Sequence, residues 1–90
     1  NFICRLDSTD IKLPLIVRNR RNGDKMTIKG LSGSKKLKDI FINEKVSIRD
    51  RQVWPVVTDS TDTIVWLPGL KKSQFDKKKN EKYDIIIKYN

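Results

Sequence analysis

The stretch Val53-Trp54-Pro55-Val56-Val57-Thr58-Asp59-Ser60-Thr61-Asp62-Thr63-Ile64-Val65-Trp66-Leu67-Pro68-Gly69-Leu70 decides the fold class. Residues Val53 to Thr58 and Thr63 to Leu67 are rich in β-branched and aromatic side chains. The polar segment Asp59-Ser60-Thr61-Asp62 joins them, so the pattern predicts a β-hairpin. Pro68 and Gly69 occupy the two central positions of a type II turn, which reverses the chain again after Leu67. Trp54 and Trp66 fall inside these strand patterns and are expected in the core, not as platforms for stacking bases.

Downstream, Lys71 to Lys82 is polar apart from Phe75 and reads as a mobile loop. Tyr83 to Tyr89, centred on Ile85-Ile86-Ile87, reads as a final strand covered on both faces. Upstream, Val46 to Asp50 is open between a helical turn and a loop. Leu37, Ile40 and Phe41 have the i, i+3, i+4 spacing of a buried helical stripe. Ser34 is the expected N-cap of that helix, which should run about three turns to Asn43.

Before it, Met26 and Ile28 alternate with Lys25 and Thr27 as a strand, preceded by the Asn22-Gly23 turn signal. Leu13, Leu15 and Val17 form the apolar face of another strand, which Pro14 places at a sheet edge or marks as starting. Phe2 to Leu6 reads as a strand with Phe2, Cys4 and Leu6 on one face, and Asp7 to Asp10 as a loop. The sum is an α+β unit of five or six strands with one principal helix.

Charge narrows the function. Twenty Lys and Arg against eleven Asp and Glu leave a net charge of +9 in 90 residues. Such a field attracts phosphate-bearing or acidic partners. There is no histidine and one cysteine, Cys4. The usual residues of zinc sites, His-based acid–base catalysis and serine-type triads are therefore missing, and no internal disulfide can form. No apolar run approaches the roughly 20 residues of a membrane span. A cytoplasmic domain is expected. The opening at Asn1, without Met, is expected for a piece of a longer chain, with residues 1–90 as a single domain.

Four basic clusters remain as candidate sites: Arg18, Arg20, Arg21 and Lys25; Lys35, Lys36 and Lys38; Arg49 and Arg51; and the lysines between Lys71 and Lys82. In an extended chain Arg18 and Arg20 share a face, and arginine forks suit bidentate phosphate contacts. The same charges would also protect a solvated edge strand from aggregation. Lys35 and Lys36, placed in the first turn after Ser34, would oppose the helix dipole. An anion bound there would relieve the conflict; otherwise both lysines extend into water. No Gly-x4-Gly-Lys-Ser/Thr phosphate loop occurs.

The order of several weak motifs is more specific than any one of them. Arg18-x-Arg20-Arg21-x-Gly23-Asp24 precedes a Gly loop at Gly30. There follow Lys36-Leu37-Lys38-Asp39-Ile40-Phe41, the connector Lys45-Val46 to Arg51, Trp54-Pro55-Val56-Val57, and Ile64-Val65-Trp66-Leu67-Pro68-Gly69. This order resembles the C-terminal domain of bacterial tRNA(Ile)-lysidine synthetase over residues 12–90. Two positions depart from that family's habit: Asn22 stands where a proline often precedes Gly-Asp, and Ser47 where a proline often follows Lys45-Val46. Pro-Gly and Asn-Gly favour different turns, so the turn type at Asn22-Gly23 stays open.

The resemblance implies a β-sandwich-like α+β fold shared with a domain of the phenylalanyl-tRNA synthetase β subunit. It also implies a parent enzyme, a ligase that uses ATP to attach lysine to the wobble cytidine of an isoleucine tRNA. The ATP site and catalytic residues would lie in that parent's N-terminal domain, leaving no catalytic residue, metal or cofactor here. The partners implied are tRNA, at its acceptor stem, and the parent's own N-terminal catalytic domain. The expected nucleic-acid-binding residues are Arg18, Arg20, Arg21, Lys25, Lys35, Lys36, Lys38 and Arg51. The competing expectation is a protein-interaction or structural module that packs on the catalytic domain or a second subunit.

Overall fold

The computed structural model describes residues 2–90. The hairpin at its centre is β5 (Val56–Thr58) and β6 (Ile64–Leu67), antiparallel as the sequence indicates. Its turn is organised by Asp59, whose buried carboxylate accepts from the N–H groups of Thr61 and Thr63 and from the Thr61 hydroxyl. The register steps from Val57↔Trp66 to Thr58↔Ile64, so Val65 is an extra residue in β6. A bulge of this kind interrupts strict alternation. Val65 and Trp66 consequently pack into one apolar cluster while Ile64 and Leu67 pack into the other. All four are buried, and the strand therefore shows no hydrophobic–polar alternation.

This hairpin is the middle of a four-stranded sheet in the order β2-β5-β6-β7, with β2 at Ile16–Arg18 and β7 at Lys71–Lys72. On one side, β3 (Lys25–Thr27) and β4 (Ser34–Lys36) form a separate antiparallel pair that runs directly into α1 (Leu37–Asn43). Met26, Ile28, Leu37, Ile40 and Phe41 close this cluster against Val56 and Leu67. On the other side, β1 (Ile3–Leu6) pairs with β8 (Ile85–Lys88), bringing Cys4 and Leu6 onto Val57, Val65 and Trp66. A second short helix, α2 (Ile48–Val53), follows α1 and is capped by the Ser47 hydroxyl, which accepts from the Asp50 N–H at 3.1 Å. No helix among the described residues is long and apolar enough to cross a membrane. The mixed α/β class and the single core-forming helix agree with the sequence reading, though the strands among the described residues number eight because two of them, β4 and β7, are short lysine-rich pieces unmarked by a pattern.

Several local expectations are corrected. Ser34 does not cap a helix: residues 34–36 pair with β3, and α1 starts at Leu37, about two turns long. The strand expected around Leu13, Leu15 and Val17 begins only at Ile16, and Leu13 and Val17 face solvent. Proline has no N–H to give a ladder, so pairing starts beyond Pro14, on the edge of the sheet. The Asn22-Gly23 turn does not close a hairpin, since β2 pairs with β5 and β3 with β4. Val53 to Pro55 belong to α2 and its exit, not to β5. β8 is covered on one face only, leaving Ile86 exposed, because it sits in a two-stranded ribbon.

The lysine-rich stretch 71–82 is anchored by two internal polar residues. The Ser73 hydroxyl donates to the Val65 carbonyl at 2.6 Å, and the buried Asp76 carboxylate accepts from the Arg5 N–H and pairs with Lys29. The Pro68-Gly69 turn forms as expected, with the Leu70 N–H donating to the Leu67 carbonyl and Gly69 at φ +77°. Trp66 is fully buried, and Trp54 packs on the core while its indole N–H donates to the Pro68 carbonyl at 2.9 Å.

Candidate nucleic-acid interface

Beyond β2 the chain leaves the sheet at Arg18 and turns through Arg21-Asn22-Gly23-Asp24, closed by the Asp24 N–H donating to the Arg21 carbonyl. Of the two central residues only Gly23 has positive φ, +84°, which matches a type II turn and not the type I′ of a tight hairpin. The turn lies against the β4–α1 junction. Together they enclose a shallow cleft of about 140 Å³ lined by Arg20, Arg21, Asp24, Lys36 and Lys38. Four cations drawn from two sequence clusters thus converge on one surface.

Each cation is placed by a different device. The Arg20 guanidinium lies 6.0 Å from the ring centroid of Phe41, a buried residue of α1, at the reach of a cation–π contact. Arg21 is exposed and pairs loosely with Asp62 at 3.3 Å. An exposed pair of this kind is worth about 0–1 kcal/mol, so a phosphate can displace it. Lys36 ends β4 directly opposite Lys25 of β3, and both are exposed. Like charges facing each other across a strand pair are mildly repulsive. An anion between them removes that repulsion. Lys38 stands on the exposed face of α1.

Arg18 has a different place from its neighbours. Its Nη1 and Nη2 donate to the two Asp24 oxygens at 2.9 Å each, and its Nε donates to Asp62 at 3.0 Å. Nη1 also donates to the Asn19 carbonyl, and the side chain is only 10% exposed. The strand ends at Arg18, so Arg18 and Arg20 do not share a face of one extended segment. The hydrogen bonds that Arg18 donates to Asp24 raise its pKa further above the ordinary value, against the opposing effect of burial. Burial pushes Asp24 upward, but the Arg18 fork and the Arg21 N–H outweigh it and hold the carboxyl below its ordinary value. The one carboxylate in the cleft is therefore already neutralised from behind.

Two further expected residues lie apart from the cleft. Lys35 shares a face of the β3–β4 pair with buried Met26, opposite to that of Lys25 and Lys36. With α1 starting at Leu37, Lys35 is not in the first helical turn, and the dipole conflict expected from Ser34 capping does not arise. Arg51 sits on α2, its Nε donating to the Val46 carbonyl at 2.8 Å. Asp24 and Phe41, which shape the cleft, are a motif position and a core residue in the sequence reading and are not among its candidate site residues. The Arg-x5-Asp spacing around a Gly turn is the available sign of the first; the helical stripe marks the second as core, and nothing in the sequence marks its contact with Arg20.

These features can be set beside known proteins. The family described as the TilS substrate C-terminal domain matches residues 15–87. The chain is 56% identical over 85 residues to the bifunctional protein TilS/HprT of Listeria innocua, covering 93% of this chain and 13% of that protein. It is 49% identical over 87 residues to the tRNA(Ile)-lysidine synthase of Bacillus licheniformis, covering 97% of this chain and 18% of that enzyme. The chain thus spans less than a fifth of the length of these curated relatives. A crystal structure of a TilS C-terminal domain superposes with a TM-score of 0.86 at 44% identity, over 96% of this chain and 66% of that one. An N-terminal fragment of the phenylalanyl-tRNA synthetase β subunit from Pyrococcus horikoshii shares the fold, with a TM-score of 0.64 at 24% identity over 82% of this chain and 23% of that one. By sequence over residues 15–87 and by backbone over nearly its whole length, the chain belongs to the TilS substrate C-terminal domain family.

Proposed function

We propose that this domain grips tRNA, at the acceptor stem, on behalf of a tRNA(Ile)-lysidine synthase, the enzyme named among its relatives. In that setting the parent, acting in the cytoplasm, uses ATP to attach lysine to the wobble cytidine of an isoleucine tRNA. ATP and the bond-forming residues belong to the remainder of the parent's length. The domain's share of the work is affinity and placement.

The observation that carries this reading is the convergence of Arg20, Arg21, Lys36 and Lys38 on one cleft whose only carboxylate is already paired. Arg18 supports the cleft, Lys25 adds charge opposite Lys36 on the neighbouring strand, and Lys35 and Arg51 lie outside it. Cations spread over separate elements but facing one surface suit a phosphate backbone, which offers several charges at fixed spacing.

The test is the salt dependence of tRNA binding by the full-length protein. Four phosphate contacts correspond to a slope of log K against log salt of roughly −3 to −4. Replacing Arg20, Arg21, Lys36 and Lys38 with Ala should remove most of that slope. Replacing Lys77, Lys78 and Lys79 should matter less, since Lys77 is already paired with Asp10 at 3.0 Å. A larger loss in the second variant would refute the assignment.

One observation favours a second reading, that the domain packs on the rest of its parent. Helix α2 buries none of its residues, and Ile48 and Val53 are about 70% exposed. Contact driven by apolar burial is insensitive to salt, so the same titration separates the two readings.

A further inference from the structure

Asp24 is an oddity in a surface built to attract anions. It is an acidic residue lining a cationic cleft, and simple electrostatics says that it should weaken binding there. Its contacts explain its presence. The carboxylate takes both terminal nitrogens of Arg18 at 2.9 Å and also accepts the Arg21 N–H at 2.7 Å. Its carbonyl accepts the N–H of Leu37, the first residue of α1, at 3.0 Å. One residue therefore ties together the end of β2, the turn that carries Arg21, and the junction between Lys36 and Lys38. Arg18 extends the brace to Asp62, beside the β5–β6 turn.

The geometry points to Asp24, backed by Arg18, as the positioning residue of the cleft: it holds the arginine turn and the β4–α1 junction at the separation a phosphate backbone needs. The inference rests on the RNA-binding reading above and adds to it which residue sets the cleft's shape. Asp24 touches no phosphate itself. It acts through Arg21, whose backbone it fixes, and through the helix start that places Lys36 and Lys38. Two charged side chains about 90% buried and joined by a two-pronged contact keep one arrangement, which a lone flexible arginine does not.

The sign of a mutational effect tests this. Asp24→Asn raises the net charge by one and removes the only acid from the cleft, so long-range electrostatics alone predicts tighter tRNA binding. Positioning predicts weaker binding, by roughly tenfold, or about 1.4 kcal/mol. The double variant Arg18→Gln/Asp24→Asn keeps the wild-type net charge and should also bind weakly. Its deficit should be smaller than the combined deficits of the two single variants, because both break the same brace. In the Asp24→Asn background, Arg21→Ala should lose most of its own effect.

These measurements use tRNA binding isotherms of the full-length protein at fixed salt, with thermal midpoints taken in parallel. Tighter or unchanged binding by a folded Asp24→Asn variant would overturn the inference. Should that variant fail to fold, Asp24→Glu serves instead. It keeps the charge and shifts the carboxylate by one methylene, and wild-type affinity in it would be equally fatal. An Arg21→Ala/Lys38→Ala variant that binds tRNA as well as wild type would instead refute the cleft as an RNA site, and this proposal with it.

Discussion

Replacing Phe41 by Leu should reveal how far the binding surface depends on the core beneath it. Phe41 is fully buried, meets Trp54 edge-on with ring centroids 6.2 Å apart, and carries the Arg20 guanidinium over its ring. Leucine keeps an apolar side chain in place but ends both aromatic contacts. The aromatic pair is worth about 0.5–1.5 kcal/mol, the cation–π contact at an open site about 0.5–1 kcal/mol, and the lost buried volume roughly 1 kcal/mol. Together the loss is about 2–3.5 kcal/mol. A domain of this size has about 5–13 kcal/mol in hand, so the variant should still fold. Its thermal midpoint should fall by roughly 10–25 °C, at about 4–8 °C per kcal/mol. Melting followed by circular dichroism measures this directly. Its tRNA affinity should also fall, by about two- to fivefold, as Arg20 loses its platform. Ile40→Val is the control: it trims a neighbouring buried side chain on the same helix, should cost about 0.5–1.5 kcal/mol, and should leave tRNA binding unchanged. A midpoint drop under about 4 °C for Phe41→Leu, or equal loss of tRNA affinity in both variants, would refute the coupling of core to cleft.

Lys45 adopts φ +57° where α1 ends, with the Val46 N–H donating back to the Phe41 carbonyl. Glycine is at home in that conformation, so Lys45→Gly should raise the stability by about 0.5–1 kcal/mol, read as a higher denaturant midpoint. Cys4 is fully buried, and burial, with the charge and hydrogen bonding of Asp76 added, pushes its thiol up to about 12. A thiol reagent at pH 8 should therefore label it only at the rate of unfolding, and prompt labelling of the native protein would contradict its placement. Asp24 and Asp59 both end below the ordinary carboxylate range, because hydrogen bonds outweigh the upward push of burial. Depressed values mean that their stabilisation is complete above the unfolded pKa near 4 and is lost as pH falls through the folded values. Thermal midpoints should accordingly hold from pH 7 to about 5 and decline below about 4, with a shallower decline in Asp59→Asn.

The legible parts of this fold were those in which one residue type has one use. Leu37, Ile40 and Phe41 have the spacing of a buried helical stripe and pack as one, and the two β-branched runs around Asp59-Ser60-Thr61-Asp62 form the hairpin their pattern predicts, though the first pairs only from Val56. The parts that could not be read are those in which polar residues do internal work. Ser73 and Asp76 lie in a lysine-rich tract that resembles solvent-exposed loop, yet each is buried and bonded. Ser34 has the chemistry of a helix cap and became a strand residue, because pairing with Thr27 uses its backbone first. The cleft shows both sides. Its cations were visible as clusters, but Arg21 and Lys36, fifteen residues apart in sequence, come to one site only through the turn at Asp24. Arg18, the most conspicuous member of the first cluster, has its guanidinium committed to Asp24, Asp62 and the Asn19 carbonyl.

The pairing of β1 with β8 sets how the domain responds to mechanical load. The register Ile3↔Lys88 through Leu6↔Ile85 lays the two ends of the chain side by side, and the Tyr89 N–H donates to the Phe2 carbonyl at 2.9 Å. Tension applied between the ends pulls across this ribbon, so the rungs are loaded one after another, as in a zipper, and not all at once, as in sheared strands. Cys4 and Leu6 leave the second apolar cluster as the ribbon opens, exposing Val65 and Trp66.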